Sequence, residues 1–173
     1  MSLRYVALVS IVAVGTGSLW AQEQGYIAKR DQGETLFNGT AMIKVSPRTG
    51  SQGGEMIWQS LTPGDSTGIH VHHAADEFFY VIRDSGLALV AGKETTIEAG
   101  DIIFVPKGSD HRLRGQAAGT SGPLEVVFLV DKPGLASEFR EGQAEYERTK
   151  RPPTLAELNR ISEKYRTTYR TLQ

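Results

Sequence analysis

The chain has no cysteine. That single absence excludes disulfides, thiolate metal sites, iron–sulfur clusters and cysteine nucleophiles, so any metal must be held by nitrogen and oxygen donors. Net charge is also nearly absent: 19 Lys+Arg against 20 Asp+Glu leave -1 at pH 7, which gives no electrostatic ground for a nucleic acid or an acidic membrane surface as partner. Long apolar runs are scarce. The longest candidate, Tyr5 to Val14, is about 10 residues where roughly 20 are needed to span a bilayer. There is no internal repeat and no low-complexity segment. At 173 residues one core is expected rather than two, since domains run to about 100–200 residues.

The start of the chain has its own grammar. Arg4 supplies a positive charge, Tyr5 to Val14 an apolar stretch, and Gly15 to Ala21 a small-residue region ending at a cleavage point. This is the pattern of a secretory signal peptide over residues 1–21, with a mature protein starting near Gln22. The expectation is an exported protein, periplasmic or secreted, with no stable membrane association after cleavage. An uncleaved anchor is the competing reading.

From Glu34 to about Val130 short apolar runs alternate with turn chemistry. Glu55–Leu61, Phe78–Ile82, Leu87–Ala91, Ile102–Val105 and Leu124–Val130 have strand length and β-branched or aromatic content. Between them, Asp84-Ser85-Gly86, Ala91-Gly92-Lys93, Ala99-Gly100-Asp101 and Lys107-Gly108-Ser109 tolerate tight or left-handed backbone. Gly68, Gly92 and Gly100 read as turn formers, and Gly50 to Gly54 as a loop. Many short strands joined by tight turns imply a sandwich or a barrel. After Pro133 the composition becomes helical: Leu135 to Arg148, a break at Pro152-Pro153, then a second helix opened by the capping box Thr154-Leu155-Ala156-Glu157. Leu155, Leu158, Ile161 and Tyr165 form its apolar stripe. This helix is expected to cover the outside or one end of the strand assembly, with a dimer contact as the alternative. Phe78, Phe79, Phe104 and Phe128 are expected mainly in the core.

The 4 histidines stand at 70, 72, 73 and 111, in or between two glycine-bounded segments. His70 and His72 are two apart in a strand, so both imidazoles leave the same face. His73 has the opposite parity and is expected outward and wet. Glu77 returns to the same point only if the chain bends at Ala74-Ala75-Asp76. His111 comes from a separate strand. Three imidazoles and one carboxylate suit one divalent transition ion (iron, manganese, nickel, copper, cobalt or zinc) and suit calcium or magnesium poorly. Lys107, Arg112 and Arg114 are expected as solvated rim charges.

These residues resemble the two motifs of the cupin family. In the first, Gly64, His70, His72 and Glu77 stand at the family spacing, with Asp84 where a glycine is usual. In the second, Gly100, Pro106, Gly108 and His111 do so, with Gly115 where an asparagine is usual. The resemblance covers roughly Met56 to Val130. It implies an all-β, double-stranded β-helix (the cupin jelly-roll barrel), usually dimeric, with metal on His70, His72, Glu77 and His111. The expected organisation is a signal peptide over 1–21, a cupin barrel over 22–133 and a C-terminal helical extension over 134–173. Asp84 should preserve its turn because aspartate tolerates left-handed geometry.

For function, the fold fixes a site better than a reaction. The full ligand set is similar to that of quercetinase-like dioxygenases, and the C-terminal pattern Leu155 to Tyr165 is similar to the tail of flavonoid-dioxygenase-like bacterial cupins. That resemblance implies dioxygenation of a small enol- or phenol-type substrate, with Glu77 as ligand and base. Two alternatives stand beside it: a metal-dependent isomerase, lyase or decarboxylase of a small acid or sugar, and a non-catalytic extracytoplasmic module that binds metal or ligand. An inward-pointing Arg112 or Arg114 would favour the first of these.

Overall fold

A computed structural model describes residues 25–116 and 122–171. The signal-peptide expectation lies outside the described residues. Two antiparallel sheets face each other. The six-stranded sheet runs β1 (Glu34–Leu36), β2 (Ala41–Val45), β3 (Glu55–Leu61), β10 (Leu124–Val130), β5 (Glu77–Arg83) and β8 (Ile102–Val105). The five-stranded sheet runs β11 (Thr167–Arg170), β4 (Ile69–His72), β9 (Asp110–Gly115), β6 (Ser85–Val90) and β7 (Lys93–Glu98). The chain thus crosses repeatedly between sheets, as the jelly-roll barrel requires.

Period-two alternation builds the interior. On β5 the side chains of Glu77, Phe79 and Val81 are buried, and those of Phe78, Tyr80 and Ile82 are exposed. β10 sends Leu124, Val126, Phe128 and Val130 inward from between β3 and β5. Phe79 and Phe128 meet with ring centroids 5.3 Å apart; truncating either aromatic to alanine should cost about 3–5 kcal/mol. The expectation that these phenylalanines are mainly core holds for Phe79 and Phe128 and is corrected for the other two. Phe78 and Phe104 are exposed and stack on each other at 5.0 Å on the outer face, because their neighbours Glu77 and Val105 hold the inward parity.

Two helices follow the strands. α1 (Leu135–Thr149) puts Leu135, Ala136 and Phe139 into or against the core. Its first turn is anchored by the buried Glu55 carboxylate, which accepts the Ala136 N–H at 2.8 Å, a favourable place for negative charge. α2 (Leu155–Ser162) starts with the expected capping box: Glu157 N–H donates to Thr154 Oγ1 at 3.3 Å and Thr154 N–H donates to Glu157 Oε2 at 2.8 Å. Its apolar stripe is narrower than the sequence suggests, with Ile161 buried and Leu155 exposed. A one-turn 3-10 helix then ends at Arg166 with φ 58°, and β11 returns to pair antiparallel with β4. Nothing in the sequence pattern signals this strand, since four residues are too few to show a period.

Both departures from the cupin motifs have a physical account. Asp84 adopts φ 60°, the left-handed turn conformation that a short polar side chain tolerates. At Gly115 an added Cβ would lie 2.3 Å from Thr62 O and 2.7 Å from Leu61 O. Glycine alone lets the strands approach that closely.

Candidate metal centre

β4 and β9 are hydrogen-bonded neighbours, and His70 stands directly opposite His111. The chain bends after His72 and re-enters the other sheet as β5, whose first residue is Glu77. The bend expected between His72 and Glu77 is therefore present. It is fixed by Asp76: its N–H donates to Asp131 Oδ1 at 2.9 Å, and its Oδ1 accepts the Lys107 N–H at 2.8 Å. The result brings His70, His72, Glu77 and His111 together, all buried, with one donor atom from each lying within 4.8 Å of the others. Donor–metal bonds of about 2.0–2.2 Å would close that spacing with small side-chain movements.

Each imidazole is held from behind. His70 Nδ1 lies 3.1 Å from Gly68 O, His111 Nδ1 3.2 Å from Ser109 O and His72 Nδ1 2.9 Å from Thr167 Oγ1. A carbonyl oxygen can only accept, so neutral His70 and His111 must carry the proton on Nδ1 and turn the Nε2 lone pair inward. That is the arrangement of an imidazole ready to ligate a metal. His111 Nε2 approaches Glu77 Oε2 at 2.8 Å and His72 Nε2 approaches it at 3.4 Å. These three buried atoms nevertheless complete no hydrogen bond. Such orphaned polar atoms are costly unless something shared satisfies them. A divalent cation is the group that fits four donors aimed at one point.

The electrostatics agree with that fit. Burial, reinforced by the neighbouring His111 and His72, drives the His70 pKa well below 6.5 and favours the neutral form. Burial also pulls on His72, but the Glu77 carboxylate overrides it and raises that pKa. Burial pushes Glu77 up, and the facing His111 and His72 more than offset it, holding the carboxyl down to about 2. Glu77 is therefore ionised and available as a ligand at any ordinary pH.

The space beside the cluster is a cavity of about 80 Å³ lined by Gln59, Thr67, His70, Glu77, Phe79, Phe128, Leu135, Phe139 and Tyr169. Among the described residues no lysine or arginine lines it. Arg112 and Arg114 have the parity opposite to His111; Arg112 is buried against Glu94, its Nη2 2.5 Å from Glu94 Oε2, and Arg114 Nη2 lies 3.7 Å from Glu94 Oε1. The expectation of a solvated Arg112 is thus corrected, and neither arginine faces the cavity. His73 is exposed as its parity requires, with Nε2 2.5 Å from Thr168 Oγ1. The sequence reading missed three residues around the site. Tyr169 stacks on His70 with centroids 5.1 Å apart and planes at 17°, Thr167 holds His72, and Glu138 of α1 is buried behind Thr167. They arrive through β11 and α1, far along the chain from the ligands, with Thr167 separated by 95 positions from the His72 it holds, and no spacing rule could have found them.

Comparison with known proteins places this geometry in a class. Residues 57–130 match the Cupin domain family, and this part of the chain is a cupin domain. The chain is similar to the tetracenomycin polyketide synthase protein TcmJ of Streptomyces glaucescens, 29% identical over 93 residues, covering 53% of this chain and 60% of that one. It is similar also to an oxalate-binding protein of Thermotoga maritima, 31% identical over 70 residues, covering 40% of this chain and 58% of that one. The matches thus span less than two thirds of these relatives' lengths. Among solved structures, a predicted oxalate decarboxylase from Thermotoga maritima aligns with a TM-score of 0.47 and 24% identity, covering 53% of this chain and 78% of that one.

Proposed function

We propose that the protein is a metal-dependent small-molecule enzyme, a dioxygenase acting on a small enol- or phenol-type substrate at a centre of His70, His72, Glu77 and His111. The observation that carries this reading is the convergence of four buried donors, on three of which, His72, Glu77 and His111, the inward atom completes no hydrogen bond among the described residues. Four protein ligands leave one or two coordination positions open on a five- or six-coordinate ion, the mark of a catalytic rather than a closed site. A divalent transition ion bound there supplies Lewis acidity and, for redox-active metals, a means to engage dioxygen. The three imidazoles hold position through their Nδ1 contacts. Glu77 takes the proton of a substrate hydroxyl at its carboxylate oxygen. Phe79, Phe128, Phe139 and Leu135 exclude water from the space beside it. A cavity of about 80 Å³ falls below the roughly 300–1,000 Å³ of ordinary ligand sites. A substrate as large as a flavonoid would enter only with displacement of the cover made by Leu135, Phe139 and Tyr169, so a small substrate is favoured.

A metal-dependent isomerase, lyase or decarboxylase of a small acid or sugar is the second reading, favoured by the small cavity and by similarity to a relative named as oxalate-binding. The outward Arg112 and Arg114 weigh against it, because among the described residues no lysine or arginine lines the cavity to pair with an acid. The third reading is a non-catalytic module that binds metal or ligand. The protein loaded in turn with Fe, Mn, Ni, Cu, Co and Zn ions, and supplied with small enols and phenols, separates the three. Oxygen uptake with both atoms of labelled dioxygen in the product supports dioxygenation; turnover of small acids or sugars without uptake supports the second; stoichiometric binding with no turnover supports the third.

Export and a homodimeric state complete the proposal. Export is supported by the Arg4, Tyr5 to Val14 and Ala21 pattern, and sequencing the mature protein should give a start near Gln22. Among the described residues no helix is long and apolar enough to cross a membrane. A dimer is supported by the exposed Phe78, Tyr80, Ile82, Ile102 and Phe104 on the outer face of the six-stranded sheet, a patch of the kind that marks interfaces. Light scattering at the mass of one chain would rule it out.

A further inference from the structure

His72 is held differently from the other two imidazoles. His70 and His111 use backbone carbonyls two residues back in their own chain segments, Gly68 O and Ser109 O, and a carbonyl fixes the tautomer without help. His72 uses a hydroxyl, Thr167 Oγ1, delivered by β11 at a sequence separation of 95. The two residues are cross-strand partners on the inner face of the β4–β11 pair, as are His70 and Tyr169. A hydroxyl can accept from Nδ1–H or donate to a bare Nδ1. Alone, Thr167 would leave His72 free to present either a lone pair or a proton to the centre.

Glu138 removes that freedom. Its carboxylate is buried on α1; Oε1 accepts the Ser162 hydroxyl at 2.5 Å, and Oε2 is buried without a completed hydrogen bond. The hydroxyls of Thr167 and Tyr169 lie beside this carboxylate. Burial raises the Glu138 pKa, against the lowering by the Ser162 hydroxyl and by His72; in its ionised form the carboxylate only accepts. If the Thr167 proton turns to Glu138 Oε2, the Thr167 oxygen must accept from His72 Nδ1–H, and the His72 Nε2 lone pair then faces Glu77 and His111. In that arrangement every donor in the chain imidazole, hydroxyl, carboxylate points the same way, and Thr167, Ser162 and Glu138 are all shielded from competing water.

We propose that Thr167 and Glu138 are positioning residues for the metal centre, acting through His72, so that the C-terminal strand and α1 set the affinity of the site for its divalent ion. The inference rests on the reading of the histidine cluster as a metal site. It extends the functional unit beyond residues 57–130, to which the Cupin domain match is confined. Loss of such a partner behind a ligating histidine typically weakens metal binding by about 10- to 100-fold.

The test is cobalt(II) binding to the full chain, followed by visible absorption and by competition with a chelator. Thr167→Val keeps shape and removes the hydroxyl; it should weaken cobalt binding by about 10- to 100-fold and alter the cobalt spectrum. Thr167→Ser restores the hydroxyl and should restore both. Glu138→Gln keeps size but can donate as well as accept, and should weaken binding several-fold. Thr168→Val, one residue away on the outer face, should match the wild type. Thermal midpoints of the metal-free proteins separate ligand positioning from loss of fold, and Glu138→Gln supplies the answer if Thr167→Val does not fold. A wild type that binds cobalt together with a Thr167→Val and a Glu138→Gln that bind it equally well overturns the inference alone. A wild type that binds no cobalt overturns the metal reading, and this inference with it.

Discussion

The two faces of the β4–β11 ribbon carry nearly the same chemistry in different surroundings. On the inner face His72 Nδ1 meets Thr167 Oγ1 at 2.9 Å; on the outer side, His73 just past the end of β4 meets Thr168 of β11, Nε2 to Oγ1 at 2.5 Å. The inner pair is buried and leaves Nε2 aimed at Glu77. The outer pair is exposed, where water competes for both partners and the net worth of a hydrogen bond is small. Composition cannot tell these pairs apart. Burial and strand parity do, turning one histidine into a ligand candidate and leaving the other a surface residue.

The largest way to break the comparison is on the inner face. Removing an imidazole leaves three donors, so His111→Ala and His70→Ala should each lose most bound metal, measured by mass spectrometry of the purified protein. Next comes Glu77→Gln, which keeps one oxygen donor and removes the base: part of the metal should remain while substrate turnover falls by about 10²–10⁴-fold. Acid should act through the imidazoles rather than the carboxylate. A ligand must be deprotonated, and the His72 pKa is raised above 6.5. Metal affinity should therefore weaken as pH falls through that raised value, beginning above 6.5, while Glu77, held at about 2, contributes nothing to the change over that range. Titrations at a series of pH values check this, and a single affinity from pH 8 to 5 would contradict it.

Farther from the site the effects shrink. Thr154→Ala removes the α2 cap and should lower stability by about 0.5–2 kcal/mol, read as a drop in thermal midpoint. If α2 is what seats β11, as its packing against that strand suggests, the same variant should also weaken metal binding slightly. The smallest expected effect is that of His73→Ala, which should leave metal content and midpoint unchanged.

Much of this was legible in the sequence because it is local. Glu55–Leu61, Ile102–Val105 and Leu124–Val130 are strands with the bounds their composition implies, and the capping box at Thr154 forms as written. The four clustered donors were legible because a two-residue spacing and two motif frames place them. The inward or outward choice at Phe78 and Phe104 was not, since a continuous apolar run carries no parity of its own; the buried Glu77 sets it. Thr167, Tyr169 and Glu138 were not legible for a different reason. Their partners are fixed by how a short strand and a helix pack back on the barrel, and no local rule specifies that contact.

The central claim is that the inner face of this ribbon, and not its outer face, holds a metal ion. Metal content of the wild type, His72→Ala and His73→Ala, purified side by side from the same medium and measured by mass spectrometry, tests it most directly. The account predicts about one divalent ion per chain in the wild type and in His73→Ala, and a small fraction of that in His72→Ala. Metal retained in His72→Ala and lost from His73→Ala would contradict it.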